Sequence, residues 1–221
     1  DNNYFLLEVS MRIAIFGAGS IGGYFGGRLS QIGEDVVFIA RGEHLNAMLT
    51  HGLRVDSING DFVVQPVQAT DDPSKIGEVD MVLVGVKAWQ VSEAAGAMRP
   101  MIGPETFVLP LQNGLEAPAQ LSEIIGEQHV LGGLCGLFCY VAGPGHIVHA
   151  GTDPFVKFGE LDNHRSQRVE LLLDTFKRAG VNAEIPPDIQ VAMWMKFLLI
   201  AVWSGMGAVT HAPVGIWRSL P

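Results

Sequence analysis

Positive charge is scarce in this sequence. Fourteen Lys and Arg stand against 23 Asp and Glu, a formal net charge of −9. Non-specific binding to nucleic acid or to an anionic membrane needs a positive field, so the balance argues against both partners. Charged residues of either sign reach only 17%, against 48% hydrophobic residues and 27 glycines. That is the balance of a compact soluble enzyme and not of a disordered segment. Cysteine is nearly absent, with Cys135 and Cys139 the two present. On a strand, that spacing separates their Cα atoms by about 13 Å, beyond disulfide reach. No disulfide is expected, and two thiols without a secretory signal fit a reducing cytoplasm.

Other absences narrow the reading further. His146 and His149 form H-x-x-H, but on a strand positions i and i+3 face opposite sides, so no metal site is expected. The one long apolar run, residues 197–209, is short for a bilayer span and is interrupted by Ser204, Gly205 and Gly207, with Lys196 at its edge. It reads as a buried helix. Residues 1–10 precede Met11, carry Asp1 and Glu8, and lack the basic start of a signal peptide. They read as a leader or an appended extension.

What is present is a short apolar strand running into a glycine-spaced turn, Arg12-Ile13-Ala14-Ile15-Phe16-Gly17-Ala18-Gly19-Ser20-Ile21-Gly22-Gly23. Strand, G-x-G-x-x-G and helix in that order form the dinucleotide-binding fingerprint. Gly17 permits the tight turn, Gly19 leaves room for a pyrophosphate, and Gly22 lets the helix pack on the strand. Ala18, Ser20 and Ile21 complete the loop, and the helix that follows, about 20–31, aims its free N–H groups at the phosphates. After the second strand, Val36-Val37-Phe38-Ile39-Ala40, the acid that would hold an NAD ribose is missing. Arg41 stands there instead. A guanidinium fork suits a 2′-phosphate, so NADP is favoured over NAD; the plain alternative is a solvated strand end.

Downstream, the pattern predicts a helix over 43–50, then a hairpin of 53–56 against 62–65 turned by Asn59-Gly60. A buried strand over 79–86, a helix over 88–98 ended with help from Pro100, a strand over 107–111 and a helix near 116–125 come next. Residues 130–158 read as strands broken by glycine and proline, extending or covering the parallel sheet. A helix over 165–179 carries the apolar stripe Leu171, Leu172, Phe176 and Ala179, and a last strand covers 181–185. Pro186-Pro187 and the N-cap candidate Asp188 then open a new helix with Val191, Trp194, Met195 and Leu198. A domain boundary is expected there. The fold class is α/β, a Rossmann-type doubly wound parallel sheet followed by the start of an all-α C-terminal domain.

These residues, with Val86-Lys87-Ala88-Trp89-Gln90-Val91, Leu111-Gln112-Asn113-Gly114 and Trp194-Met195-Lys196-Phe197, resemble the ketopantoate reductase (2-dehydropantoate 2-reductase) family over nearly all of residues 11–221. The resemblance implies an NADPH-binding Rossmann domain over 11–187 and the beginning of a helical substrate domain over 188–221. It implies reduction of a small 2-keto acid, most simply 2-dehydropantoate to pantoate in pantothenate biosynthesis. Carried over, Gly17, Gly19 and Gly22 would hold the pyrophosphate, Arg41 the 2′-phosphate, and Lys87 would lie beside the cofactor. Asn113 would contact cofactor and substrate, and Lys196 would be the catalytic proton donor to the oxygen that becomes negative as the keto carbon is reduced. An ordinary lysine, with pKa about 10.4, suffices for that role.

Taken alone, Lys196 reads also as a snorkelling lysine, Lys87 as a solvated junction residue and Asn113 as a turn former. Two departures from the family pattern stand out. Ile200 and Ser204, one and two turns after Lys196, occupy places where the family has substrate-binding asparagines. Ser204 is shorter and Ile200 forms no hydrogen bond, which favours a less polar carbonyl substrate as an alternative; a non-catalytic NADP(H)-binding module is the other. The family also continues well past residue 221, so an apolar face over 191–209 is expected to stand open, leaving a homodimer open as the assembly.

Overall fold

The computed structural model describes residues 10–213, 215, 216 and 219, so all but Ser10 of the expected extension lies outside the described residues. Strands are numbered in chain order. Five of them, β1 (Arg12–Phe16), β2 (Asp35–Ile39), β5 (Gln68–Thr70), β6 (Val79–Val84) and β7 (Ile102–Pro110), form an all-parallel sheet in the order β5-β2-β1-β6-β7. The chain leaves β1 on one side for β2 and returns on the other for β6, so the direction of winding reverses at β1. That reversal opens a crevice beyond the carboxyl ends of the strands.

β1, β2, β6 and β7 bury both faces, as covered parallel strands do, whereas the short edge strand β5 stays partly exposed. Ile13, Ile15, Val36, Phe38, Met81, Leu83, Phe107 and Leu109 point to one side and belong to one core. Ala14, Phe16, Val37, Ile39, Val82, Val84 and Val108 point to the other and meet Val91, Ala94, Ala95, Met98 and Leu121 in a second core. The latter come from α3 (Val91–Met98) and α4 (Ala117–Ile125). The expected helix over 88–98 is in fact split, a 3-10 turn over Ala88–Gln90 preceding α3.

The first core is shared with a second sheet. Residues 130–158 do not extend the parallel sheet but cover it, apart from a bridge between Val108 and Val130. The second sheet is built around β9 (His146–Glu160), which pairs antiparallel with β8 (Leu131–Gly143) along one edge. On its other edge β9 pairs parallel with β3 (Leu53–Ser57) and with β10 (Asn182–Glu184). The expected hairpin joins through β3, whose partner β4 (Phe62–Val64) completes the sheet. β5, three residues long, carries no period-two pattern to mark it. His146 bonds Asp56 at 2.9 Å and His149 bonds Ser57 at 2.8 Å, each with a separate partner on β3.

Between the sheets lies α1 (Ser20–Gln31), and its glycines set how closely they approach. A Cβ on Gly26 would stand 2.6 Å from Phe38 and 2.7 Å from Ile15 on the parallel sheet. One on Gly27 would stand 2.8 Å from Phe62, and one on Gly23 would collide with Ile147, both on the second sheet. A further helix, α5 (Gln167–Arg178), is pinned to β9 by a bidentate pair from Arg168 to the buried Glu160, at 2.7 and 2.6 Å.

The last helix, α6 (Ile189–Thr210), starts as expected with Asp188 capping the N–H of Val191 at 3.0 Å. Of the two expectations for its apolar run, the buried helix fails and the open apolar face over 191–209 is met. Only Ile189 and Met193 are buried, packed with Leu134 of β8, whereas Val191, Trp194, Met195, Leu198, Leu199 and Val202 stand exposed. The helix is apolar all round, and its docked first turns use one side of it. By length and composition it is apolar enough to cross a membrane.

Gly26→Ala is expected to lower stability. Overpacking costs about 1 to 3 kcal/mol and the gain in helix propensity offsets at most about 1 kcal/mol, so thermal melting should fall by a few degrees. Gly96, exposed in α3 with open space around it, is the control, and Gly96→Ala should raise the melting temperature.

Candidate active site

The crevice at the carboxyl ends holds three adjoining cavities. The first, about 410 Å³, is lined by the loop residues Gly17, Ala18 and Gly19 and by Ala40, Arg41, His44, Lys87, Glu93 and Val141. A second, about 320 Å³, shares Gly19, Gly85, Val86 and Lys87 with it and continues to Ser20, Ile21, Trp89, Gln112, Asn113, Cys135 and Leu137. The third, about 400 Å³, shares Asn113 and is closed by Leu115, Trp194 and Phe197. Together they make one groove from β2 to α6.

The floor is the loop between β1 and α1. Gly17 has φ +97°, and a Cβ there would lie 2.9 Å from the Val86 amide nitrogen, so only glycine makes this turn. Gly22 packs so close to the Gly17 carbonyl that a Cβ would clash, as the third glycine of the motif requires. Gly19 differs from both, since a Cβ there would meet nothing within 4 Å and would project into the groove. No side chain caps the N-terminus of α1. Its unsatisfied N–H groups therefore face a space of the right size for an anion.

Arg41 stands just before α2 (Gly42–His51), at the far end of the first cavity. Its guanidinium is 3.7 Å from Glu93, with both side chains mostly exposed, at 70% and 72%. Such a pair contributes little and leaves the arginine free to change partners. Lys87 is exposed where the first two cavities join, and Asn113 is exposed where the second and third join.

Lys196, on α6, turns its ammonium inward and donates to the carbonyl oxygen of Cys135 at 2.5 Å. Cys135 is itself a wall of the second cavity. Burial pushes the lysine below its ordinary pKa, a shift that proton donation does not require. Ser204 does not join it. It lies exposed two turns further along α6, outside the lining of all three cavities.

Three features were not foreseen from the sequence. Gln112 donates its amide N–H groups to the carbonyls of Val84 and Val86, both at 2.9 Å, and so ties the end of β6, which leads to Lys87, to the segment carrying Asn113. The second is β8, whose alternate residues Cys135, Leu137, Cys139 and Val141 turn toward the groove and wall it along its length. Burial pushes both thiols up to about 11, and the Ser20 hydroxyl contacts Cys139. The third is His44, which bonds the Ala18 carbonyl of the loop at 2.8 Å. The run 134–141 is apolar at nearly every position, so it marks a strand but not which of its faces walls the groove. Nothing in the sequence marks the two polar side chains except that Gln112 precedes Asn113 at a strand end.

Comparison with known proteins agrees with this architecture. Residues 13–163 match the family model described as ketopantoate reductase PanE/ApbA. The 2-dehydropantoate 2-reductase of Nostoc sp. is 31% identical over 206 residues, which cover 91% of this chain and 64% of that protein. The crystal structure of 2-dehydropantoate 2-reductase from Geobacter metallireducens GS-15 superposes with a TM-score of 0.90 at 35% identity, over 95% of this chain and 69% of that one. A D-mandelate dehydrogenase solved with NADH and anilino(oxo)acetate superposes with a TM-score of 0.77 at 25% identity, over 84% of this chain and 60% of that one. The chain thus spans about two thirds of the length of these relatives. On the family match over residues 13–163 and the superposition at 35% identity, the chain belongs to the ketopantoate reductase PanE/ApbA family.

Proposed function

We propose that the chain carries the NADPH site and the proton-donating lysine of a reductase for a small 2-keto acid, with 2-dehydropantoate as the first substrate to test. The observation that carries this reading is Lys196, whose ammonium is held against the wall of the same groove that begins at the glycine loop. The groove fits a dinucleotide because Gly19 leaves open the space that a side chain would fill, at an uncapped helix N-terminus. The loop 17–22 would hold the pyrophosphate, Arg41 the 2′-phosphate, and Lys87 and Asn113 the nicotinamide half. When bound, the reduced nicotinamide supplies a hydride to a keto carbon.

The chain's own residues supply the rest. An ammonium has three N–H donors, and the Cys135 carbonyl occupies one while aiming the other two. A substrate oxygen beside Asn113 would take one of them as negative charge develops, and then the proton. The desolvation that lowers the pKa of Lys196 also makes it a stronger acid than lysine in water. Unpaired Cys135 and Cys139 fit a cytoplasmic setting.

One observation favours a second substrate class. The third cavity, beside Asn113, is closed by Leu115, Trp194 and Phe197, with the two rings edge to face at 5.8 Å. Together with Ile200, this supports a 2-keto acid with an apolar or aromatic side chain, in keeping with the D-mandelate dehydrogenase relative. A panel of 2-keto acids, scored by substrate-dependent loss of NADPH absorbance, separates the two. No loss with any member would leave a dinucleotide-binding module without chemistry.

Gly19→Ala should weaken NADPH by about tenfold while leaving the melting temperature unchanged, because the added methyl enters the groove and touches no protein atom. Arg41→Ala should weaken NADPH at least about tenfold and NADH far less, the loss of a charged hydrogen bond; equal weakening would remove the 2′-phosphate assignment. Lys196→Ala should keep NADPH affinity and lose turnover by roughly 100- to 10,000-fold. In the unmodified protein, reduction needs the protonated amine, so kcat/KM falls as pH rises through the Lys196 pKa. Burial places that alkaline limb below the ordinary lysine value of about 10.4.

A further inference from the structure

His44 is held by two bonds that reach different parts of the molecule. The backbone N–H of Gly145 donates to its Nδ1 at 3.0 Å, so that nitrogen carries no proton. The proton of the neutral ring is therefore on Nε2, which donates to the Ala18 carbonyl at 2.8 Å. Ala18 belongs to the glycine loop, and its own N–H is already taken by the Ile39 carbonyl at 3.0 Å. Its peptide groups on both sides are thus fixed, and with them the direction of the next turn, where Gly19 opens α1. Gly145 lies in the turn between β8 and β9, and its carbonyl accepts from the Arg54 N–H at 2.9 Å. Four residues earlier in the same hairpin, Val141 walls the first cavity. One imidazole therefore joins the floor of the groove to its wall.

We propose that His44 is a positioning residue for the dinucleotide site, a bracket whose neutral ring sets the spacing between the loop 17–22 and the β8 wall. The inference rests on the dinucleotide reading of the groove given above. It assigns His44 no contact with the reacting atoms. The bracket requires an acceptor at Nδ1 and a donor at Nε2 at once, which the chemistry of two other side chains separates. The amide nitrogen of glutamine can stand where Nε2 stands and keep the Ala18 bond, whereas the side-chain oxygen of asparagine can stand where Nδ1 stands and keep the Gly145 bond.

The test compares His44→Phe, His44→Gln and His44→Asn with the unmodified protein, reading NADPH affinity by fluorescence, melting temperature by circular dichroism and the His44 tautomer by 15N NMR. The expected result is the Nε2–H tautomer in the unmodified protein. NADPH should weaken about tenfold or more in His44→Phe, and His44→Gln should recover to within about threefold of the starting affinity, with His44→Asn between them. A purely structural role would lower melting temperature and affinity together in all three variants, with no recovery by glutamine, and would overturn the proposal. So would an Nδ1–H tautomer, or a folded His44→Phe that binds NADPH as the unmodified protein does. If His44→Phe does not fold, glutamine and asparagine variants that bind alike decide against the bracket. Failure of the unmodified protein to bind NADPH would instead remove the dinucleotide reading, leaving the tautomer measurement to judge the clamp itself.

Discussion

The position of the groove depends on how closely α1 can lie between two sheets. Gly26 lets the helix settle on Ile15 and Phe38, and Gly23 and Gly27 let Ile147 and Phe62 of the second sheet settle on the helix. A side chain at any of these places would push a whole layer outward, because close-packed interiors absorb little volume. The close approach has two results at the site. It aims the N-terminus of α1 into the crevice, and it brings β8 far enough over the strand ends to serve as their wall.

Charge within the groove is arranged by position and not by excess. The chain is acidic overall, at −9, yet Arg41 and Lys87 line a groove whose floor already presents the positive end of a helix, and Lys196 bonds its wall at Cys135. Arg41 and Lys87 are exposed to solvent, whereas Lys196 is partly buried and tied to a carbonyl. Solvation alone thus puts two lysines, Lys87 and Lys196, in different electrostatic settings. The acid Glu93, opposite Arg41, holds the guanidinium loosely enough to be displaced by a stronger anion.

Much of this was legible in the sequence. The glycine spacing after an apolar strand gave the loop, and short continuous apolar runs gave β1, β2 and β6. Asp188 after two prolines gave the start of α6, because capping is a local interaction that needs no knowledge of the fold. What could not be read depends on contacts between distant segments. The second sheet joins residues 53–64 to residues 131–184, and neither segment alone shows that it will meet the other. His44 and Gln112 look like ordinary polar residues until the carbonyls they serve are in place. For α6, composition alone suggested a buried helix, because it records what a helix could bury and not which neighbours it has; the open face followed from the family resemblance instead.

The two sulfurs in the groove wall illustrate what burial does to reactivity. With pKa values near 11, about one thiol in ten thousand is ionised at neutral pH, and it is the thiolate that attacks peroxides and alkylating agents. Cys135 and Cys139 therefore serve as small, soft, inert surfaces. The lining stays chemically quiet toward oxidants, although two of its residues belong to the most oxidisable class of side chain.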